Sequence, residues 1–343
     1  MRINGPVLAT LTVLAALTAV SAWPVSADAT RAPVVIFDSD MDFDDAATLS
    51  YLAQEDKLGR IDLRAVTVVN NGAGLPGRAI RHARCLVERL GLEGVQIADG
   101  SNTAPNAFPS ELRQTFDRVL ESVMPGCTAS EAPSRTPAPN LIKRTLADEP
   151  DARLVVTGPL SNVAAASPAA ARRVTSMGGA VRVGGGLCCG TPPEFDGSQE
   201  FNYWIDPVAS RAVLQGSARP VRLVPLDATN NVPITADFVD RLRSNAHTTA
   251  AQIVLGIVTH PEVAPFIAAG QLYWWDPLAA MSAIHRGIVD FDLGRLDVVP
   301  EGPSAGRTFL SQTGRPTWFG TAANAAAFEQ RFIDTLNQGA PLQ

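Results

Sequence analysis

VVIFDSDMDFDDAA, residues 34–47, decides how the rest of the chain is read. Apolar residues run straight into Asp38, Asp40, Asp42, Asp44 and Asp45, and the chain then turns amphipathic from Ala46 to Leu52. That order predicts a buried strand, a loop at its C-terminal end and a helix start near Ala46. In an open α/β sheet, ligands bind at that end of the strands. Carboxylates in contact raise one another's pKa, so a group this dense calls for compensating positive charge. A bound divalent cation is the simplest source, and a donor set of oxygens alone favours Ca²⁺ or Mg²⁺.

Downstream, strands and helices alternate. Continuous β-branched or apolar runs at 63–69, 96–98, 153–156, 181–183 and 221–224 predict strands. Helical patterns fall at 46–55, 76–90, 110–123, 141–147, 207–214, within 235–270, at 276–286 and at 322–336, with Ser161 placed to cap a further one. Residues 297–319 predict a C-terminal hairpin. The expected fold is a single large α/β domain: an open, mostly parallel sheet with helices on both faces. Residues 99–140 break the pattern with six prolines and many Ser and Thr. They read as a functional loop or lid, or, over 125–139, as a surface insertion.

The chain has 343 residues, 46% of them hydrophobic, which suffices for a sizeable core. Its formal charge of −6, with no basic run, gives no reason to expect a nucleic-acid polymer as partner. Arg2, an apolar stretch from Val7 to Val20 and the small residues Ala27-Asp28-Ala29 predict a secretory signal peptide over 1–29, cleaved after Ala29. The apolar run is short for a membrane span. The mature chain, 30–343, is then extracytoplasmic, where cysteines can pair. A bridge from Cys127 to Cys188 or Cys189 is plausible, and Cys85 reads as a buried thiol.

The polar residues of interest lie after strands: the Asp cluster, Asn70-Asn71, Thr157 and Glu200 to Asn202. A cation flanked by carboxylates, with Asn and Glu at hand to grip hydroxyls, suits hydrolysis of a hydroxyl-rich substrate such as a sugar derivative. Two other uses of such a motif fit less well. An EF-hand loop starting at Asp38 would need Gly and Glu where Phe43 and Leu49 stand. In a haloacid-dehalogenase-type motif, Asp42 would occupy a position usually held by Thr or Val.

DSDMDFDDA resembles the N-terminal fingerprint of the nucleoside hydrolases. The likeness continues, in the family's order, through TVVNNG (67–72), VVTGPLSNVA (155–164), EFNYWIDPVA (200–209), PLDAT (225–229) and WDPLAA (275–280). The resemblance implies hydrolysis of a nucleoside's N-glycosidic bond to ribose and free base, with Ca²⁺ as cofactor. It implies that Asp40, Asp45, Asp276 and the Thr157 carbonyl hold the ion. Asp44 is then the general base, while Asn71, Glu200 and Asn202 hold the ribose and Asp38 buttresses the loop. Many members carry an acid His before the last Asp; here Trp275 stands there, as in a purine-preferring branch that stacks on the base. That branch's second stacking Trp corresponds to Leu112. Either Glu194 or Asp196 would meet the 5′-hydroxyl. The histidines (His82, His247, His260, His285) are poor candidates for the missing acid. A nucleoside-binding protein with weak turnover, or a hydrolase of another N-glycoside, are the alternatives. Members of this family form dimers and tetramers, so a homo-oligomer is an expectation by analogy.

Overall fold

The computed structural model describes residue 1 and residues 31–188 and 196–338. The proposed signal peptide lies outside these, as does Glu194. From the N-terminal side the elements are β1 (Val34–Ser39), α1 (Phe43–Lys57), β2 (Asp62–Val68), α2 (Arg78–Arg89), β3 (Gln96–Asp99), α3 (Ser110–Val123), α4 (Ala138–Asp148), β4 (Arg153–Val156), α5 (Ser161–Ala165) and β5 (Arg173–Met177). There follow α6 (Phe201–Ile205), α7 (Pro207–Gly216), β6 (Arg222–Val224), α8 (Leu226–Thr229), α9 (Ala236–Asn245), α10 (Thr249–Val258), α11 (Ala264–Ala268), α12 (Trp275–Ile284), β7 (Val289–Val298), β8 (Thr308–Leu310), β9 (Arg315–Ala323) and α13 (Ala325–Leu336).

The strands form one nine-stranded sheet in the order β3-β2-β1-β4-β5-β6-β9-β7-β8. Pairing is parallel from β3 through β9, and only β7 and β8 at one edge are antiparallel. β1 sits where the strand order reverses, between β2 and β4. That is the switch point at which such sheets leave a crevice beyond their C-terminal ends. The β1 residues Val35, Ile36 and Phe37 are fully buried, as expected of a strand covered on both faces. Two apolar clusters fill the two sides of the sheet.

Several expectations need correction. Helix α1 begins at Phe43, not Ala46, because Asp42 caps it. Residues 181–183 are not a strand; Asp227 takes the Val181 and Arg182 amides at 2.8 Å each, so they cannot enter a ladder. The strand in that region is the more polar β5. Ser161 caps nothing; its hydroxyl instead bonds Asp206. The C-terminal strands extend well past the expected hairpin on both sides.

The cysteine expectation is overturned: Cys85 pairs with Cys127, Cα atoms 5.9 Å apart. Cys188 is disulfide-bonded as well. Helical periodicity places Cys85 on the buried face of α2 but cannot show that residue 127 folds back over it. The stretch after α3 is strapped to α2 rather than projecting as an insertion. Arg81 donates to the Cys127 carbonyl at 2.8 Å, and Arg84 to that of Ala132 at 2.8 Å. Among the described residues no helix is long and apolar enough to cross a membrane.

Candidate active site

The Asp loop is built by a conflict between turn and helix. Asp42 caps α1, its Oδ1 accepting the Asp44 and Asp45 amides at 3.0 and 3.2 Å, while Asp45 Oδ2 accepts the Asp42 amide at 3.1 Å. This reciprocal capping box puts Asp44 and Asp45 in the first turn, where the helix dipole favours negative charge. Met41 links the cap to β1 in the left-handed region, φ 57°, though it is buried and not glycine. Such backbone strain clusters at functional sites.

Each carboxylate is then gripped from a different strand end. Asp38 Oδ1 accepts Thr67 Oγ1 at 2.6 Å and Asn162 Nδ2 at 2.9 Å, which suits a buttress. Asp40 Oδ2 accepts the Ala73 amide at 2.6 Å. Around it glycine is required: a Cβ on Gly72 would stand 2.0 Å from Asp40 Oδ2, and one on Gly158 2.8 Å from the Asp40 nitrogen. Asp45 Oδ1 accepts Thr157 Oγ1 at 2.6 Å, and Asp44 Oδ2 accepts the Asp276 amide at 3.0 Å.

Burial, reinforced by neighbouring carboxylates, raises Asp40, Asp44 and Asp276 well above the usual carboxyl range. The same burial brings Asp38 and Asp45 to about 7, even though hydrogen bonds partly oppose it. Asp40 contacts Asp45 and Asp42 contacts Asp44 through their side chains, which requires a proton or a cation between each pair. One oxygen from each of Asp42, Asp44 and Asp276 also lies within 4.8 Å of the others, so this trio could hold a metal ion. The trio shares only Asp276 with the ligand set implied by the family likeness. The donors are hard oxygens without Cys or His, so the residues fit Ca²⁺ or Mg²⁺.

A cavity of about 580 Å³ opens over the cluster and is lined by Asp40, Asp42, Asp44, Thr157, Glu200, Asn202, Trp275 and Asp276, among others. Glu200 caps α6: its carboxylate accepts the amides of Asn202 (2.9 Å), Tyr203 (3.2 Å) and, from the segment after β5, Gly179 (2.8 Å). Asn202 Nδ2 donates to the Thr157 carbonyl at 2.8 Å, leaving its own carbonyl oxygen for a ligand. Asn71 is not on the cavity wall. Its amide is spent on the Thr103 carbonyl (2.9 Å) and Ser161 Oγ (2.8 Å), and its buried Oδ1 has no partner.

Trp274 and Trp275 have opposite fates. Trp274 is fully buried against Phe238 and Phe332. Trp275 faces the cavity, its ring 5.8 Å from Tyr273 and 6.3 Å, edge-on, from Phe43. Leu112 also reaches the wall. The sequence reading missed the wall's phenylalanines. Phe108 stacks near Phe201 at 4.8 Å and Phe116 near Phe43 at 5.5 Å. Phe201 sits inside EFNYWIDPVA (200–209), and Phe108 four residues before Leu112, but apolar residues there read as core. Asp196 is exposed and bonds Ser198 and Ser304. No histidine lines the cavity among the described residues. His82 is buried against Asp117 at 2.7 Å and His285 lies 3.2 Å from Glu55.

The profile of the inosine-uridine preferring nucleoside hydrolases matches residues 35–335. Among curated proteins, the chain is 36% identical over 108 residues to a putative pyrimidine-specific ribonucleoside hydrolase, RihB, of Shigella boydii, covering 30% of this chain and 40% of that one. It is 28% identical over 220 residues to the pyrimidine-specific ribonucleoside hydrolase RihA of Salmonella newport, covering 61% and 65%. The chain thus spans less than two thirds of the length of these relatives. Its fold is similar to that of the inosine-uridine preferring nucleoside hydrolase of Bacillus anthracis (TM-score 0.77, 24% identity, 90% of this chain and 100% of that one). It is also similar to the purine-preferring ribonucleoside hydrolase of Gardnerella vaginalis (TM-score 0.71, 21% identity, 89% and 98%).

Proposed function

The chain belongs to the inosine-uridine preferring nucleoside hydrolase family, and from that premise we propose that it is a calcium-dependent hydrolase cleaving ribonucleosides to ribose and free base. The observation that carries this reading is the convergence, on one cavity, of carboxylates and amides from β1, β4, α6 and α12. Asp40, Asp45, Asp276 and the Thr157 carbonyl would hold the ion. Asp42, which has only its Oδ1 committed to the α1 cap, is the alternative ligand to Asp45, whose two oxygens accept the Asp42 amide and Thr157 Oγ1. Bound calcium supplies the charge that lets these carboxylates ionise together and makes nearby water more acidic.

Asp44 takes the proton from the attacking water. Glu200 and Asn202, fixed by their backbone bonds, position the ribose hydroxyls. Attack falls on the anomeric carbon, where the surrounding carboxylates stabilise oxocarbenium character. Trp275 stacks on the base. With no acid His on the wall, the leaving ring collects its proton from solvent, which a purine does through a ring nitrogen. We therefore place purine nucleosides first. The second reading is a preference for pyrimidine nucleosides, which the pyrimidine-specific names of the curated relatives support. A nucleoside-binding protein with weak turnover is the remaining one.

The test is release of reducing sugar from inosine, adenosine, guanosine, uridine and cytidine, with calcium and with a chelator. No release from any of them by calcium-loaded protein refutes the enzyme reading; tight binding without release points to the binding protein. Export is part of the proposal, supported by the Cys85–Cys127 disulfide. N-terminal sequencing of the mature chain should start at Thr30.

A further inference from the structure

Arg113 lies on α3, next to Leu112, and no motif in the sequence assigns it a role of its own. Its guanidinium Nη2 donates to the carbonyl of Asn70 at 2.7 Å and to that of Gly74. Those carbonyls mark the two ends of the loop that wraps Asp40. Inside the loop, the Ala73 amide holds Asp40 Oδ2. A Cβ on Gly72 or Gly74 would overlap Asp40, at 2.0 Å from Oδ2 and 2.3 Å from the carbonyl oxygen. Backbone packed this closely against a carboxylate leaves no slack, so the loop's placement sets where that carboxylate stands. Arg113 Nε is buried with no partner, and an unmet buried donor is costly. The guanidinium is therefore held here against a desolvation penalty, with the Asp40 charge acting in its favour. Its own helix carries Leu112 and Phe116 to the cavity wall.

We propose that Arg113 is a positioning residue that pins the 70–74 loop onto Asp40 and so ties cation affinity to the seating of α3, the helix walling the cavity. This rests on Asp40 being a cation ligand in the function proposed above. Both bonds leave Nη2, whose two hydrogens are fixed in the guanidinium plane, whereas a lysine ammonium rotates freely and holds no such fixed pair of directions. The effect therefore comes from bridging and not from charge alone.

The experiment compares full-length wild type with Arg113→Met and Arg113→Lys. It measures titration with calcium ion alone by calorimetry and amide exchange of the peptide containing Ala73. It also measures nucleoside turnover at limiting and saturating calcium. Arg113→Met should weaken calcium binding about tenfold or more, the range seen when support behind a metal ligand is lost. It should also speed exchange at Ala73, with kcat largely recovered at saturating calcium. Arg113→Lys should lie between the two; if the methionine variant does not fold, the lysine variant alone must show both changes. A folded variant with wild-type calcium affinity and unchanged exchange at Ala73 overturns the proposal. A wild type that binds calcium but turns over no nucleoside defeats the proposed activity and leaves this inference standing on its calorimetry. A wild type that binds no calcium defeats it.

Discussion

Asp44 Oδ2 accepts the backbone amide hydrogen of Asp276 at 3.0 Å, joining the first turn of α1 to the first turn of α12 across 232 positions of sequence. The bond fixes the proposed base relative to the last carboxylate of the cluster. Asp44→Asn keeps an acceptor oxygen for that amide and removes the base. It should leave the melting temperature close to wild type and cut kcat by about 10²–10⁴, the usual contribution of a positioned base. Steady-state turnover with circular dichroism melts checks this, and a folded variant with full activity takes Asp44 out of the role.

Trp275 offers the test of base preference. Its ring stands between Tyr273 and Phe43 at the cavity wall. A stacked base contributes about 1–3 kcal/mol by alanine substitution in other settings. Trp275→Ala should therefore raise KM for purine nucleosides by about tenfold or more, while Trp275→His should shift relative kcat/KM toward pyrimidines by supplying an acid. Trp274→Ala should instead destabilise the fold by about 3–5 kcal/mol, since its ring is core. Equal kcat/KM changes for all bases in Trp275→His would argue against acid rescue.

What made the site legible is that β1 is a continuous apolar run and that its polar sequel must lie at a sheet's C-terminal edge. The same logic singled out Thr157, Glu200 and Asn202, whereas only the family resemblance of WDPLAA (275–280) marked Asp276. It could not see that Asp42 would start the helix three residues early, since an Asp in a crowded acidic loop looks the same whether it caps or coordinates. Nor could it separate Asn71 from the wall: its partners, Thr103 and Ser161, come from distant segments. The run 181–183 looks like a strand by composition, and only Asp227, 45 or so residues on, prevents it. Long-range side-chain-to-backbone bonds of this kind leave no local periodicity to read.

The pH dependence follows from Asp38 and Asp45, whose folded pKa of about 7 exceeds the unfolded value of 3.8 because burial disfavours their charged forms. A carboxyl raised in this way stabilises the fold fully below the unfolded value. That contribution is lost as pH rises from about 4 through about 7. Calcium binds the ionised forms, so its stabilising effect should grow over the same window. The calcium-induced rise in melting temperature should be larger at pH 8 than at pH 5; equal rises at both would contradict the linkage. Calorimetry at pH 8 should show Asp45→Asn weakening calcium binding more than Asp42→Asn. The reverse order would shift the ion to the Asp42, Asp44 and Asp276 trio.

The Cys85–Cys127 disulfide joins α2 to the segment just after α3, closing a loop with a sequence separation of 42. Chain-entropy arguments put the stabilisation from a loop of that size at about 4 kcal/mol at most. The two helices have other ties. Arg78 bonds Asp117 at 2.8 Å and Glu121 at 2.7 Å, and His82 bonds Asp117 at 2.7 Å. Burial alone would raise Asp117, but His82 and Arg78 hold it down at about 2, so this contact persists across the neutral range. The paired substitution Cys85→Ser with Cys127→Ser should thus cost about 2–4 kcal/mol without unfolding the chain. Because α3 carries Leu112 and Phe116 to the cavity wall, the loosened helix should raise KM for nucleosides more than it lowers kcat. Denaturant melts with and without reductant, alongside steady-state kinetics, check both parts. A variant with unchanged KM would show that α3 is seated by Arg78, His82 and Arg113 without help from the disulfide.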